Sequence, residues 1–220
     1  MNRRTIYIVA AIAVAAASAG GWQLFSSGAS ETAAASGQSR EALVRMHSQS
    51  LGRAEAGVQL VEFFDPACGT CAEFYPLVKK MAAENRDDIR LVLRYAPFHP
   101  GSDQVVKALE ATRRQGKFWP ALEALLSSQS VWVIHHKAQP ELIWGPLASA
   151  GVDIERVKVD MQSPDVARVI EQDVADANTL KVSATPEYFV NGRPLPSFGY
   201  DQLRKLVDEE LAITRARKAG

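Results

Sequence analysis

Two cysteines are the residues of this chain best suited to do chemistry. Cys68 and Cys71 enclose Gly69-Thr70, and the 220 residues contain no other cysteine. Two thiols at this spacing can exchange disulfides when the first opens a helix, because the N–H groups and dipole at a helix N-terminus favour a thiolate. We therefore predict that Cys68 is the nucleophile, with a pKa below the free value of about 8.5. Cys71 would then attack a mixed disulfide and release its partner.

Other uses of the pair fit the sequence less well. A structural bridge between Cys68 and Cys71 would close so short a loop that it would hardly constrain the unfolded chain. The pair could be half of a metal site, but a four-ligand structural zinc site is short of thiolates. We expect no metal and no other cofactor.

The segments around the cysteines predict a strand before them and a helix after them. Residues 58–64 form a short apolar, β-branched and aromatic run that is stopped by Asp65-Pro66, as in a buried strand. A second strand is predicted at residues 89–95, where apolar residues alternate with Arg and one face would be buried. Between them, apolar residues recur at helical spacing up to about Asn85; these are Phe74, Leu77, Val78 and Met81.

The rest of the chain predicts a helical block and then a return to strand. Residues from about 102 to 180 carry helical patterns throughout, and residues 187–190 read as a strand. Asn191-Gly192 is a hairpin turn signal, and a final amphipathic helix follows. This order predicts an α/β protein, specifically a thioredoxin fold with a helical domain inserted at about 102–180.

The N-terminus predicts export. In residues 1–25, the positively charged Arg3-Arg4 is followed by a long uncharged stretch. This pattern fits either a cleaved signal peptide or an N-terminal membrane anchor. Residues 26–39 are rich in Ser, Ala and Gly and read as a flexible tether. Residues 40–220 would then be the thioredoxin-like domain, located in the periplasm or otherwise outside the cytoplasm because the positive charge precedes the apolar stretch.

The overall charge excludes one class of partner. Lys+Arg and Asp+Glu both total 25, so the chain has no excess of positive charge. Nucleic-acid binding is therefore not expected, because it depends on a basic surface.

Two segments resemble the DsbA-like thiol–disulfide oxidoreductases of the thioredoxin superfamily. Residues 61–71 (VEFFDPACGTC) are similar to the active-site segment of that family, and residues 183–192 (SATPEYFVNG) to the segment that carries its cis-proline. The resemblance implies that Pro186 is cis and lies against the cysteines, and that Thr185 offers its backbone to a substrate peptide. It also implies exported protein substrates and a membrane redox partner. From the residues alone, Pro186 could equally be an ordinary turn proline before a strand.

Glu62 is a carboxyl group in the middle of an apolar strand. If it is buried, its pKa should be raised and it could relay a proton to or from Cys71. The resembled family likewise has an acidic residue six positions before the first cysteine. The alternative is an edge-strand glutamate that points to water.

The residues between the cysteines leave the direction of electron flow open. Many members of the family have Pro or His there, whereas this chain has Gly69-Thr70. Because a histidine would help to stabilise the thiolate, its absence suggests a less strongly oxidising pair. We favour an oxidant, with a reductase or isomerase, or a module that binds clients or a soft metal through the cysteines, as alternatives.

Three histidines are secondary candidates. His135-His136 could be a metal pair, but adjacent histidines on a helix point in different directions, which favours a surface or capping role. His99 leaves the second strand towards the predicted site and could be a substrate-groove residue, although a loop histidine is the simpler interpretation.

Overall fold

A five-stranded mixed sheet forms the centre of the protein. The structure, a computed structural model, describes residues 41–219, so the predicted signal and tether lie outside the described residues. The strands are β1 (Gln49–Leu51), β2 (Val58–Phe64), β3 (Ile89–Tyr95), β6 (Glu187–Val190) and β7 (Arg193–Pro194), in the spatial order β1-β3-β2-β6-β7. β2 and β3 are parallel, and the remaining pairs are antiparallel. The central position of β2 matters for the site, since the cysteines follow it directly.

Besides helical residues 41–43 and two 3-10 turns (Arg113–Gln115 and Pro140–Leu142), the described part of the chain contains eight α-helices and a small hairpin. The helices are α1 (Gly69–Glu84), α2 (Ser102–Thr112), α3 (Phe118–Ser127), α4 (Gln129–Trp132), α5 (Trp144–Ser149), α6 (Ile154–Asp160), α7 (Pro164–Thr179) and α8 (Tyr200–Ala219). The hairpin consists of β4 (Val133–Ile134) and β5 (Lys137–Ala138). Six of these helices, α2 to α7, lie between β3 and β6 and form the inserted block.

Both faces of the sheet are buried, and strand periodicity decides which side chain faces which core. Successive side chains of a strand point to opposite faces. Along β2, Leu60 and Phe64 join the large core that contains α1 and α8, whereas Val61 and Phe63 join a smaller core under the end of α7. Glu62 shares the parity of Leu60 and Phe64, so its carboxyl group points towards α1 and the cysteines.

The prediction that β3 has one buried face is wrong. Arg94 is fully buried, and its guanidinium donates to Asp173 (2.9 Å) and to Asp176, both on α7. Its side chain also donates to the Ala42 carbonyl. A charged residue can be buried on a strand when another element supplies opposite charges, which the strand's own sequence does not reveal.

The inserted block is not helical throughout, which corrects a second prediction. Residues 133–138 form the hairpin β4–β5, and His135 and His136 occupy its turn with φ of 49° and 60°. A two-residue turn with both residues in the left-handed region matches the twist of a hairpin. The two histidines are therefore turn residues and not helical neighbours.

Candidate active site

Cys68 and Cys71 lie at the N-terminus of α1, shortly after the end of the central strand β2. Cys68 is the N-cap residue of α1 and Cys71 lies in its first turn; the two side chains are unbridged and both residues are buried. The Cys68 N–H donates to the Asp65 carbonyl (3.0 Å), and the Cys68 carbonyl accepts from the Ala72 N–H (3.2 Å). The turn and the helix thus fix the first cysteine at a helix N-terminus, as the sequence predicted.

The pKa of Cys68 is lowered to about 5. The largest cause is a hydrogen bond from the Cys71 thiol, and the Thr185 side chain and the backbone N–H groups of Cys71 and Thr70 contribute further, against the opposing effect of burial. Cys68 is therefore a thiolate at neutral pH.

Cys71 has the opposite character. Burial is the main cause that raises its pKa well above the usual value, and the hydrogen bond to Cys68 and the charges of Glu62 and Cys68 act in the same direction. The Asp65 N–H partly opposes this. One sulfur of the pair is thus a thiolate and the other a protonated thiol, which is the asymmetry that stepwise disulfide exchange needs.

Glu62 is buried beside the pair. Its relative exposure is 1%, on a strand with neighbours on both sides, so the alternative of an edge-strand glutamate pointing to water is ruled out. Burial raises its pKa to about 8; the Tyr188 hydroxyl opposes this, and the charge of Cys68 adds to it. Glu62 faces Tyr188 across the β2–β6 pair. A carboxyl group with this pKa can hold or release a proton near neutral pH.

Thr185 and Pro186 stand on the other side of Cys68. Their peptide bond is cis, as the resemblance implied. The Cys68 sulfur lies 3.1 Å from the Thr185 carbonyl oxygen, to which its thiol donates when it is protonated, so this segment lies directly against the Cys68 sulfur. A groove of about 320 Å³ begins here and is lined by Thr70, Thr185, Pro186, Leu195 and Phe198, among others.

Phe198 gives the groove an exposed apolar wall. The side chain is 53% exposed and packs on Phe74 of α1, with ring centroids 4.7 Å apart. Sequence reasoning missed both Leu195 and Phe198, because the turn after β7 carries no motif that distinguishes a groove from an ordinary loop.

The thioredoxin family model matches residues 45–209, which is most of the chain. The chain belongs to the thioredoxin family. The Bacillus cereus protein named "Probable disulfide bond formation protein D" is 30% identical over 176 residues, covering 74% of this chain and 78% of that protein. A solved thioredoxin-like oxidoreductase from Silicibacter pomeroyi is 32% identical, with a TM-score of 0.68 over 82% of this chain and 99% of that one. The predicted thioredoxin fold with a helical insertion and the DsbA-like resemblance are confirmed.

Other relatives carry a similar domain inside a much longer protein. A Na⁺/H⁺ antiporter NhaA from Herminiimonas arsenicoxydans is 36% identical over 144 residues, which cover 66% of this chain. The same residues make up 22% of that antiporter, so the chain spans about a fifth of the curated relative's length.

Asp65 is a residue of this thioredoxin-family protein that sequence reasoning treated only as a strand stop. Its fully buried carboxylate accepts from the Ala67 N–H and from both the backbone N–H and Nδ1 of His99, each at 2.8 Å, and also from the Ser102 hydroxyl. Since its carbonyl accepts from Cys68, Asp65 ties the cysteine turn to the loop after β3. His99 is therefore a loop histidine that supports the turn, and it does not line the groove next to Cys68.

The remaining candidates are Gly69 and Thr70 in the first turn of α1 and the two histidines of the β4–β5 turn. Gly69 is exposed, and a Cβ added there would meet nothing within 4 Å; Thr70 lines the groove. His135 and His136 are exposed in their turn. Within residues 41–219, no group of three or more His, Cys, Asp or Glu side chains is arranged to hold a metal ion, and no helix is long and apolar enough to cross a membrane.

Proposed function

We propose that the protein is a thiol–disulfide oxidoreductase that introduces disulfides into exported proteins through Cys68 and Cys71. The observation that carries the proposal is the opposite shift of the two thiol pKa values within one helix turn. A thiolate stabilised at Cys68 favours the reduced protein over its disulfide, so the disulfide form accepts electrons readily. The low pKa of Cys68 therefore supports an oxidant, even without a histidine between the cysteines.

The exchange proceeds in two displacements. A substrate thiolate attacks the Cys68 sulfur of the Cys68–Cys71 disulfide; the bond between the cysteines breaks, and Cys71 leaves with the electron pair. Glu62, whose pKa is about 8, supplies the proton that Cys71 takes up in its buried position. A second substrate thiolate then attacks the substrate sulfur of the mixed disulfide, and Cys68 leaves as a stable thiolate. The substrate dithiol is oxidised and the protein disulfide is reduced.

The groove supports an extended peptide as the substrate. The Thr185 carbonyl lies within 3.1 Å of the Cys68 sulfur, so a peptide that pairs with this backbone would bring its own cysteine to Cys68. Phe198 and Leu195 would contact apolar side chains of that peptide. Gly69 and Thr70 would tune the potential, because they lie in the first turn of α1 between the two cysteines.

Exported substrates and a membrane redox partner complete the proposal. Residues 1–25 direct the domain out of the cytoplasm, either as a cleaved signal or as an anchor, and residues 26–39 separate it from the membrane. The reduced enzyme then needs a membrane partner to accept its electrons and restore the disulfide.

Single-cysteine variants test the exchange mechanism. With oxidised glutathione at pH 7, Cys71→Ala should form a stable mixed disulfide at Cys68, whereas Cys68→Ala should react far more slowly because Cys71 is a buried thiol. Intact mass spectrometry over time measures both rates. Equal rates for the two variants would contradict the assignment of Cys68 as the nucleophile.

Two further measurements separate the alternatives. The equilibrium constant with glutathione distinguishes an oxidant, whose disulfide is readily reduced, from a reductase or isomerase. If Cys68→Ala keeps full capacity to bind reduced client proteins and the wild type exchanges no disulfide with them, the protein is a binding module instead.

A further inference from the structure

Gln129 joins the helical insertion to the cysteine turn. It is the first residue of α4 and is half-buried. Its side-chain amide donates two hydrogen bonds, to the carbonyl oxygens of Pro66 (2.7 Å) and Cys68 (2.9 Å). The two acceptors lie at either end of the short segment that leads into α1, so one amide group fixes both ends of that segment.

Hydrogen bonds on both sides of Gln129 fix the backbone of this segment. Trp132, at the other end of α4, is fully buried, and its indole N–H donates to the Leu125 carbonyl (3.0 Å). On the other side, the Ser128 hydroxyl donates to the Ala124 carbonyl (2.6 Å). Because both flanks are anchored in the insertion, the backbone at Gln129 is positioned by contacts other than those with the cysteine turn.

A second set of hydrogen bonds connects α4 to the loop after β3, which also contacts the cysteine turn. The Gln139 N–H donates to the Trp132 carbonyl (2.8 Å), and the Ala138 N–H donates to the Pro100 carbonyl (2.9 Å). His99, which directly precedes Pro100, is hydrogen-bonded to the Asp65 carboxylate. The cysteine turn is thus held by the insertion at Gln129 and by the loop after β3 at Asp65.

We propose that Gln129 is a positioning residue for disulfide exchange, which holds the carbonyl groups of Pro66 and Cys68 so that the Cys68 sulfur stays at the helix N-terminus. The inference rests on the proposed function of Cys68 as the nucleophile. Gln129 touches no reacting atom, and it acts through the backbone of the turn.

The effect on reactivity follows from what stabilises the thiolate. The backbone N–H groups of Thr70 and Cys71 point to the Cys68 sulfur only while the turn keeps its present geometry. Without the amide of Gln129, the carbonyls of Pro66 and Cys68 lose a shared donor and the turn gains freedom. The N–H groups are then less well aligned with the sulfur, and the thiolate is less stabilised.

The test replaces Gln129 and a matched glutamine. Gln115 also makes two side-chain hydrogen bonds to backbone, with the N–H and carbonyl of Asp153 (2.9 and 3.0 Å), but these lie away from the cysteine turn. Gln129→Met and Gln129→Ala are compared with Gln115→Met. The thiolate of the reduced protein is titrated by its absorbance near 240 nm, and the equilibrium constant with glutathione is measured alongside thermal unfolding.

The Gln129 variants should raise the pKa of Cys68 and make reduction of the protein by glutathione about five-fold less favourable, as expected for loss of a net hydrogen-bond contribution. Gln115→Met should lower the unfolding temperature and leave both values unchanged. Gln129 variants with wild-type pKa and equilibrium constant would overturn the inference. A wild-type protein without a low-pKa thiolate would instead overturn the proposed function on which it rests.

Discussion

At the scale of single residues, the site depends on where protons are held. Cys68 is a thiolate, Cys71 is a thiol, and Glu62 keeps its proton up to about pH 8 because it is buried. The negative charge of Cys68 and the acidity of Glu62 are coupled, since each charge disfavours the other. The proton on Glu62 is thus available when Cys71 leaves the disulfide.

Glu62 should make the reduced protein lose stability as the pH rises. Its pKa is raised from 4.5 to about 8 in the folded state, so its protonated form contributes stability that is fully present below pH 4.5 and lost towards pH 8. Glu62→Gln does not titrate. The free energy of unfolding of the variant should therefore rise relative to wild type across this range, by on the order of 4 kcal/mol at pH 8.

Denaturant unfolding at several pH values measures this difference. Glu123→Gln is the matched control, because the Glu123 carboxyl is half-exposed and pairs with Lys79 on the outer side of α1. The Glu123→Gln variant should differ from wild type by less than about 1 kcal/mol, because this ion pair is half-exposed. A Glu62→Gln difference that stays constant from pH 4.5 to 8 would show that Glu62 is ionised throughout and cannot serve as the proton donor.

At the scale of elements, the sheet and the insertion are held together by buried charges as well as by apolar packing. Arg94 of β3 pairs with Asp173 and Asp176 of α7, and Arg45 pairs with Asp176 from the segment before β1. Removing Arg94 leaves Asp173 and Asp176 buried, with only the more exposed His47 and Arg45 as partners.

Arg94→Met should destabilise the protein by about 3–5 kcal/mol, because both carboxylates then lose their buried partner. The control Arg114→Met removes a partly exposed pairing with Asp160 and Asp165 and should cost less than about 1 kcal/mol. Urea unfolding of the two variants compares them. Equal losses would mean that the buried cluster contributes no more than a surface ion pair.

The sequence was most informative where local pattern and core agree. β2 and β3 occupy the predicted ranges 58–64 and 89–95, and α1 ends next to the predicted Asn85. The Asn191-Gly192 turn also joins two paired strands. In β2, β3 and α1 the residues that favour the local structure also face the core, so periodicity alone identifies the element. The exposed Asn191-Gly192 turn is identified by its residue types instead.

Features that depend on distant partners were not visible in the sequence. β1 is three residues long and pairs only with β3, and the hairpin at residues 133–138 lies among helices. The roles of Arg94, Asp65 and Gln129 are defined by partners in other elements, which lie 34 or more positions away along the chain. A single sequence carries no signal for such contacts.

At the scale of the whole molecule, the low pKa of the Cys68 thiol affects the stability of the folded protein. The thiolate of Cys68 exists only in the reduced form and is stabilised only when the chain is folded. By linkage, folding is then favoured more in the reduced protein than in the oxidised protein. This difference is the thermodynamic basis of an oxidant, since reduction by a substrate makes the protein more stable.

The difference in stability between the reduced and the oxidised protein should depend on pH. The folded pKa of Cys68 is about 5, below its ordinary value of 9.0, so its contribution to the reduced form is fully present above pH 9 and is lost as the pH falls through 5. The oxidised form has no such contribution, because both sulfurs are bonded. Comparing the two redox forms therefore reports the effect of the thiolate together with its coupling to Glu62.

The most direct measurement is the unfolding temperature of the purified protein, oxidised and reduced, between pH 4 and pH 8. We predict that the reduced form unfolds at the higher temperature at pH 7, and that its advantage shrinks as the pH falls towards 4. An oxidised form that is the more stable of the two at pH 7 would contradict the central claim that this protein is an oxidant driven by the Cys68 thiolate.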